Sequence, residues 1–330
     1  MRMDWKRFYA DELAQAWGRQ AALDAVRRHA GGDAAVRAAL LAGGWASFPH
    51  VTLRDSAEPI ARVAQSIIAS GKQRVVALGV LHGGTLPAGL REAWMALSGD
   101  ASLARAAFPR FAGAFFARGE VATPFGPIAE GVLPARAEFI REDAALLEGE
   151  FSLDLFLAVL AAAAQQQGVR PPAVTRLFVC AVRSPDGSFQ LAQDLAGEVS
   201  ALVDADTACV TTGDLAHVGH GYTAASETAA LPADRQVLEA MLRAGIHQQH
   251  EAALTRRDFE AAWATGTRWR NDQRHLLPVL AELVGPGARF ELLSFSLSDY
   301  SRVNGEAPPC FVAAALGLFH RAGASTAGKA

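Results

Sequence analysis

Asp214 and His217 follow directly on a run of small and β-branched residues, Ala208-Cys209-Val210-Thr211-Thr212, that predicts the end of a buried strand. Gly213 lets the chain turn there, and a second glycine-rich turn, Gly219-His220-Gly221, comes shortly after. In α/β proteins ligands gather beyond the carboxyl ends of strands, so a carboxylate and an imidazole at this point suit a site. His50 and His82 occupy comparable places. Pro49 ends the apolar run GGWASFPH and leaves His50 past a strand end, while the continuous apolar strand RVVALGV runs out into Leu81-His82-Gly83-Gly84. One β-α-β crossover takes about 30 residues, which is the spacing between these two histidines. If their strands are neighbours, both imidazoles emerge on one rim. Imidazole suits zinc, copper, iron and nickel alike, and three imidazoles with open positions can hold a metal that also binds substrate, water or oxygen. Plainer readings stand beside this one. Asp214 can cap a helix with His217 merely exposed, His50 can be a surface residue, and His82 can cap a loop over the glycine pair.

The elements that would position these residues alternate between helix and strand. Residues 4–29 predict a helix, with Trp5, Phe8, Leu13, Trp17 and Leu23 at helical intervals as core-packing positions. Ser56–Ser70 predicts another, with Pro59 in its first turn, where a missing N–H costs little. Residues 85–147 are irregular, broken by prolines at 87, 109, 124, 127 and 134, and are expected to cover one side of the site. A long helix through Gln167 closes at Pro171-Pro172. Thr175–Ser184 then predicts a strand, Ser188–Val203 a helix and Ala208–Thr212 a strand. Helical segments follow at Asp234–Gln249, Arg257–Ala264 and Asn271–Leu283. Phe290–Tyr300 and Pro309–Phe319 read as two final strands, or a strand and a helix start, and the tail after His320 as a fraying end. This alternation implies an α/β fold: one domain over 1–330, with a mostly parallel central sheet and helices on both faces.

Composition narrows the partners. A net charge of −3 with 20% charged residues offers no basic stripe, which argues against nucleic acid. The amphipathic start lacks the apolar centre of a signal peptide, and the most apolar run, Leu153–Ala164, is too short to span a bilayer. Cys180, Cys209 and Cys310 each lie in an apolar run and read as buried free thiols, as expected of a cytoplasmic protein away from membranes.

Several of these stretches carry a family likeness. GDLAHVG at 213–219 resembles the motif of the Memo family, which includes the AmmeMemoRadiSam system protein B chains and is similar in fold to the class III extradiol dioxygenases. Phe8-Tyr9-Ala10-Asp11 resembles the family's F-Y-P-x-D start without the proline. Pro49-His50 resembles its P-H-A-G-Y element, with Val51-Thr52 in place of Ala-Gly. Leu78-Gly79-Val80-Leu81-His82 resembles its L-G-x-x-H element. Glu150-Phe151-Ser152-Leu153-Asp154 resembles E-H-S-[IL]-[DE], with Phe151 where the family has histidine. Aligned through Trp263, Arg268 and Arg270, the family's N-x-C-G segment puts its cysteine on Asp272 and its glycine on Gln273.

The resemblance implies a class III extradiol dioxygenase-like fold and a divalent metal, Fe(II) first, with Cu or Zn as alternatives. Two ligand sets follow from it. In the Memo-like set His50, His82 and His217 are the ligands, with Asp214 and Glu150 fixing imidazole tautomers. In the dioxygenase-like set His50, His82 and Asp272 hold iron, and His217 is the acid/base beside the substrate. Glu150 and Asp272 can also be helix-terminal acids and nothing more. His220 reads as a rim residue, and His247, His250 and His275 as solvated helix faces. The implied activity is a metal-dependent oxidoreductase on a small aromatic or peptide-borne substrate. A non-catalytic scaffold working with protein partners is the alternative, favoured by Phe151, and a hydrolase using metal-bound water is a third.

Overall fold

The structure, a computed structural model, describes residues 3–97, 101–133 and 137–323. Pro134 and the end of the C-terminal tail lie outside the described residues. Among the described residues nine strands join one sheet: β1 (Trp45–Phe48), β2 (Arg74–Val80), β3 (Ala114–Phe116), β4 (Ile140–Glu142), β5 (Ala173–Val179), β6 (Thr207–Thr212), β7 (His217–Gly219), β8 (Arg289–Asp299) and β9 (Cys310–His320). Their order is β4-β3-β5-β2-β6-β1-β9-β7, with β8 paired to β9. The central four, β5-β2-β6-β1, run parallel. Antiparallel β3 joins one side and antiparallel β9 the other, so the α/β sheet is mixed around a parallel centre.

The helices are α1 (Trp5–Ala14), α2 (Ala16–Arg28), α3 (Ala34–Leu41), α4 (Leu53–Ser70), α5 (Ala88–Ala96), α6 (Ala101–Phe111), α7 (Asp154–Gln166), α8 (Gln190–Ser200), α9 (Ala225–Ala229), α10 (Arg235–Leu254), α11 (Phe259–Arg268), α12 (Leu276–Val284) and α13 (Ser301–Asn304). Strand side chains alternate between two cores, as the two-residue period requires. Val75, Ala77 and Phe178 face a core shared with α2, α3, α4 and α7, while Val76, Leu78 and Leu177 face one shared with α8 and α12. Burying side chains of this size contributes about 1.5–3 kcal/mol each. Among the described residues no helix is long and apolar enough to cross a membrane.

Several expectations shift. The first helix breaks at Gln15, whose backbone is extended, and Trp17 is 42% exposed instead of packed in the core. The helix expected from Ser56 begins at Leu53, which moves Pro59 out of its first turn and leaves the carbonyl one turn earlier without that donor. The 85–147 segment is more regular than its prolines suggest, supplying α5 and α6, the edge strand β4 and its neighbour β3. Most consequentially, β1 and β2 are not neighbours. The β6 strand lies between them, so His50 and His82 come from strands two positions apart.

Candidate metal centre

Parallel β1, β6 and β2 all end at the same rim of the sheet. Phe48 pairs with Thr212 there, so the chain leaving β1 and the chain leaving β6 emerge side by side. Asp214 sits between the flanking histidines, and its carboxylate accepts the His50 backbone N–H at 3.0 Å. His50 and His82 lean inward over β6 until their Nε2 atoms are 3.1 Å apart. Asp272 arrives from the far side, at the head of a 3-10 turn, Asp272–Arg274. Its N–H donates to the Asp214 carbonyl at 3.1 Å, and its Oδ2 accepts the Asp214 N–H at 3.3 Å. Asn271 and Gln273 anchor that turn, Asn271 receiving the Gln273 N–H and Gln273 donating to Ser47 at 2.8 Å. Gly213 is needed here for closeness: a Cβ on it would stand 2.4 Å from the Gln273 side chain.

Asp272 Oδ2 is where the imidazoles meet. It lies 3.3 Å from His50 Nε2 and 3.8 Å from both His82 Nε2 and His217 Nε2. Two compact donor sets share it, His50–His82–Asp272 and Asp214–His217–Asp272. Ligands about 2.1 Å from one cation stand about 3.0 Å apart at a right angle and about 3.4 Å apart at the tetrahedral angle. The spacings within the first set fall close to those values, so these buried His/Asp groups can hold a divalent ion.

The outer hydrogen bonds decide what the imidazoles present inward. His50 Nδ1 is 3.0 Å from Thr212 Oγ1, whose own proton goes to the Phe48 carbonyl, so the ring nitrogen is the donor. His82 Nδ1 faces both oxygens of Glu150, at 3.1 and 3.2 Å, and donates to that carboxylate. His217 Nδ1 donates to the Arg270 carbonyl at 2.8 Å. In every case Nδ1 carries the proton and the Nε2 lone pair points at the shared centre. Lone pairs of His50 and His82 facing each other, beside ionised carboxylates, demand a cation between them. A proton or a metal ion satisfies that demand.

The electrostatics report the same deficit. Burial would lower the His82 pKa, but Glu150 and Asp272 outweigh it and hold it well above the ordinary imidazole value. Burial would raise Asp272, but His217, His50 and His82 hold it well below the carboxylate range. Asp214 goes the other way, raised by burial and by Asp272. Glu150, 2% exposed, stays low because His82 and the backbone amides of His82 and Ser152 overcome its burial.

Beside the centre lies a cavity of about 140 Å³ lined with aromatic rings, among them Trp5, Tyr9, Phe151, Tyr222 and Tyr300. Phe151 stacks on His82 with centroids 4.5 Å apart and continues onto Tyr9 at 5.1 Å. Tyr300 accepts the Thr52 N–H and meets the Tyr9 hydroxyl at 3.3 Å. A second cavity, about 170 Å³, opens on the other side of His82 between Gly83, Trp94, Asp272 and Arg274. Gly83 is required there because a Cβ would fall 2.1 Å from the Trp94 ring.

The structure therefore brings together His50, His82, His217, Asp214, Asp272 and Glu150. Thr212, Tyr9, Tyr300, Trp94 and Arg274 belong to the site without having been read from the sequence. Thr212 was visible as part of TTGD, whereas the others are joined only by tertiary packing. His220 is half-buried beside the Pro309 carbonyl, and His247 is exposed as expected. His250 and His275 are not solvated. His250 is 1% exposed and stacks on Phe290 of β8, and His275 packs against Trp263 at 4.6 Å.

His250 carries a stability prediction. Burial pushes its imidazole down to about 4 from the ordinary 6.5, and among the described residues its Nε2 has no partner. Between those pH values the unfolded chain binds the extra proton, so stability is full above 6.5 and falls as pH drops towards 4. The loss is about 3 kcal/mol at most. Urea midpoints across this range should flatten in His250→Leu; an unchanged acid slope would remove His250 as the cause.

No family model matches this chain, and no curated protein matches it.

Proposed function

We propose that this chain is a Memo-like, metal-dependent oxidoreductase built on a class III extradiol dioxygenase-like fold. Its metal is Fe(II), with Cu or Zn as alternatives, and its substrate is a small aromatic or peptide-borne molecule. The observation that carries this reading is the convergence of three Nε2 lone pairs on one carboxylate oxygen, each ring fixed by an outward Nδ1–H bond. His50, His82 and Asp272 are assigned as ligands, the two-histidine, one-carboxylate set suited to non-haem iron. Iron bound there would supply redox chemistry towards dioxygen.

The chain's own residues do the rest. His217 Nε2 faces the shared centre and can take or return a substrate proton, its ring held by the Arg270 carbonyl. Glu150 and Thr212 keep His82 and His50 in the tautomer a cation needs. The aromatic cavity offers flat surfaces to a ring. The likeness of GDLAHVG, Pro49-His50 and the Leu78–His82 stretch to the Memo motifs supports the same assignment. Free buried Cys180, Cys209 and Cys310 agree with a reducing cytoplasm.

Phe151 supports a second reading. Stacked on His82, it puts an apolar ring where the family has an imidazole and removes a proton donor from the cavity. A metal- or ligand-binding scaffold that works with partner proteins needs no such donor.

The test is anaerobic reconstitution of the purified chain with Fe(II), Cu(II) or Zn(II), followed by elemental analysis and oxygen uptake with catechol-like and modified-peptide substrates. One iron per chain is expected, with a rise in unfolding free energy of about 2.7 kcal/mol when free metal is 100 times Kd. Oxygen uptake with any of those substrates establishes the enzyme. Stoichiometric metal without uptake favours the scaffold, and no metal retention ends the oxidoreductase reading and leaves the ligand-binding scaffold.

A further inference from the structure

A cavity of about 610 Å³ adjoins the smaller one beside His82, and Trp94, Arg274 and His275 line both. Its wall carries three arginines, Arg183, Arg270 and Arg274, together with Trp263 and Phe108. Among the described residues lining it there is no carboxylate. Two of the arginines are answered from outside the wall: Arg183 pairs with Glu260 at 3.0 Å and Arg270 with Glu227 at 2.7 Å.

Arg274 is different. Among the described residues its guanidinium makes no hydrogen bond or ion pair, and Asp272 acts on it only through space. Asp272 is itself engaged by the imidazoles. Burial lowers the Arg274 pKa, but a guanidinium does not lose its proton inside a protein. The root of the side chain is placed by packing. Its Cβ would stand 3.1 Å from a Cβ on Gly266, so the 3-10 turn rests directly on α11. His275 adds no charge, because burial and Arg274 hold its pKa well below the ordinary value. A half-buried guanidinium with no ion-pair partner among the described residues, set among flat rings on a cavity wall, offers its charge and its paired N–H groups to an anionic ligand.

We propose that this cavity binds the carboxylate of a planar aromatic acid, with Arg274 as the bidentate partner and Trp94 and Trp263 flanking the ring. The reading of the His50–His82–Asp272 centre as a metal site gives this ligand its orientation: carboxylate outward on Arg274, the opposite end of the ring towards His82. A guanidinium matches a carboxylate in plane and spacing, which a neutral amide of the same shape does not reproduce.

Benzoate and benzamide are the probes, used on chelator-treated, metal-free protein and read by calorimetry and by quenching of tryptophan fluorescence. Benzoate should bind at least about tenfold tighter than benzamide, and Arg274→Gln should weaken benzoate by about ten- to a hundredfold without moving benzamide. Arg274→Lys should restore part of the difference. Equal affinity for the two probes, no binding of either, or an Arg274→Gln chain that holds benzoate undiminished would each overturn the proposal. The comparison of probes on the unmodified protein answers even if the variant fails to fold. Because no metal is present, failure of the metal reading and failure of this one are separable.

Discussion

His82→Ala and Asp272→Ala should each lose stoichiometric divalent metal, with affinity falling by more than about a hundredfold. That exceeds the tenfold to hundredfold loss expected from removing an outer partner of a ligand. The reason is geometric. His50 Nε2, His82 Nε2 and Asp272 Oδ2 form the tightest donor set, 3.1, 3.3 and 3.8 Å apart, and removing one leaves too few ligands on a single cation. His217→Ala is the discriminating variant. With His50, His82 and Asp272 as ligands, it retains metal within about tenfold and loses turnover, because it removes the acid/base and not a ligand. With three histidines as ligands, His217→Ala empties the site and Asp272→Asn keeps it loaded. Elemental analysis of the four purified variants beside the parent distinguishes these outcomes. Metal content equal to the parent in His82→Ala would remove the centre altogether. Asp272→Asn is the milder companion: it keeps the side chain's shape and the Asp214 contact while removing the charge.

Much of the architecture was legible because it depends on local pattern. Unbroken apolar runs such as Arg74–Val80 become strands buried on both faces, and each of the three histidines stands at or just past a strand end. What could not be read depends on contacts distant in sequence. Nothing local says that β6 enters between β1 and β2, so the two histidines reach one rim without the neighbouring strands that would have placed them there most simply. His250 looked solvated because α10 carries charges around it, and only β8, laid across that helix, buries the ring against Phe290. Asp272 emerged from a soft alignment, and its place is set by the fit of Gln273 against Gly213, a contact between segments about sixty residues apart. Arg274, two residues further on, gave no local sign of lining a cavity.

Glu150→Gln should cost metal affinity as well as stability, and the reason lies in which oxygen holds what. Oε1 accepts the N–H groups of Phe151 and Ser152 at 2.9 and 2.8 Å, while Oε2 accepts the His82 N–H at 2.8 Å. The His82 ring donates from Nδ1 across both oxygens. A glutamine keeps one oxygen for Phe151 and Ser152 but turns its NH2 towards His82, whose backbone N–H then loses its acceptor at a cost of about 1–3 kcal/mol. Two donors cannot face each other, so the His82 ring moves its proton from Nδ1 to Nε2 and accepts from the amide. The proton then occupies the lone pair that faces His50 and Asp272, and a metal must displace it. Metal affinity should drop about ten- to a hundredfold. Glu150→Ala, by contrast, leaves buried donors with no acceptor and should destabilise the fold by about 3–5 kcal/mol. Nitrogen-15 spectra of the imidazoles separate the tautomer from simple damage: the His82 proton should report from Nε2 in Glu150→Gln and from Nδ1 in the metal-loaded parent. If the proton stays on Nδ1 and metal affinity is unaltered, Glu150 is a structural cap of the turn before α7 and has no hold on the centre.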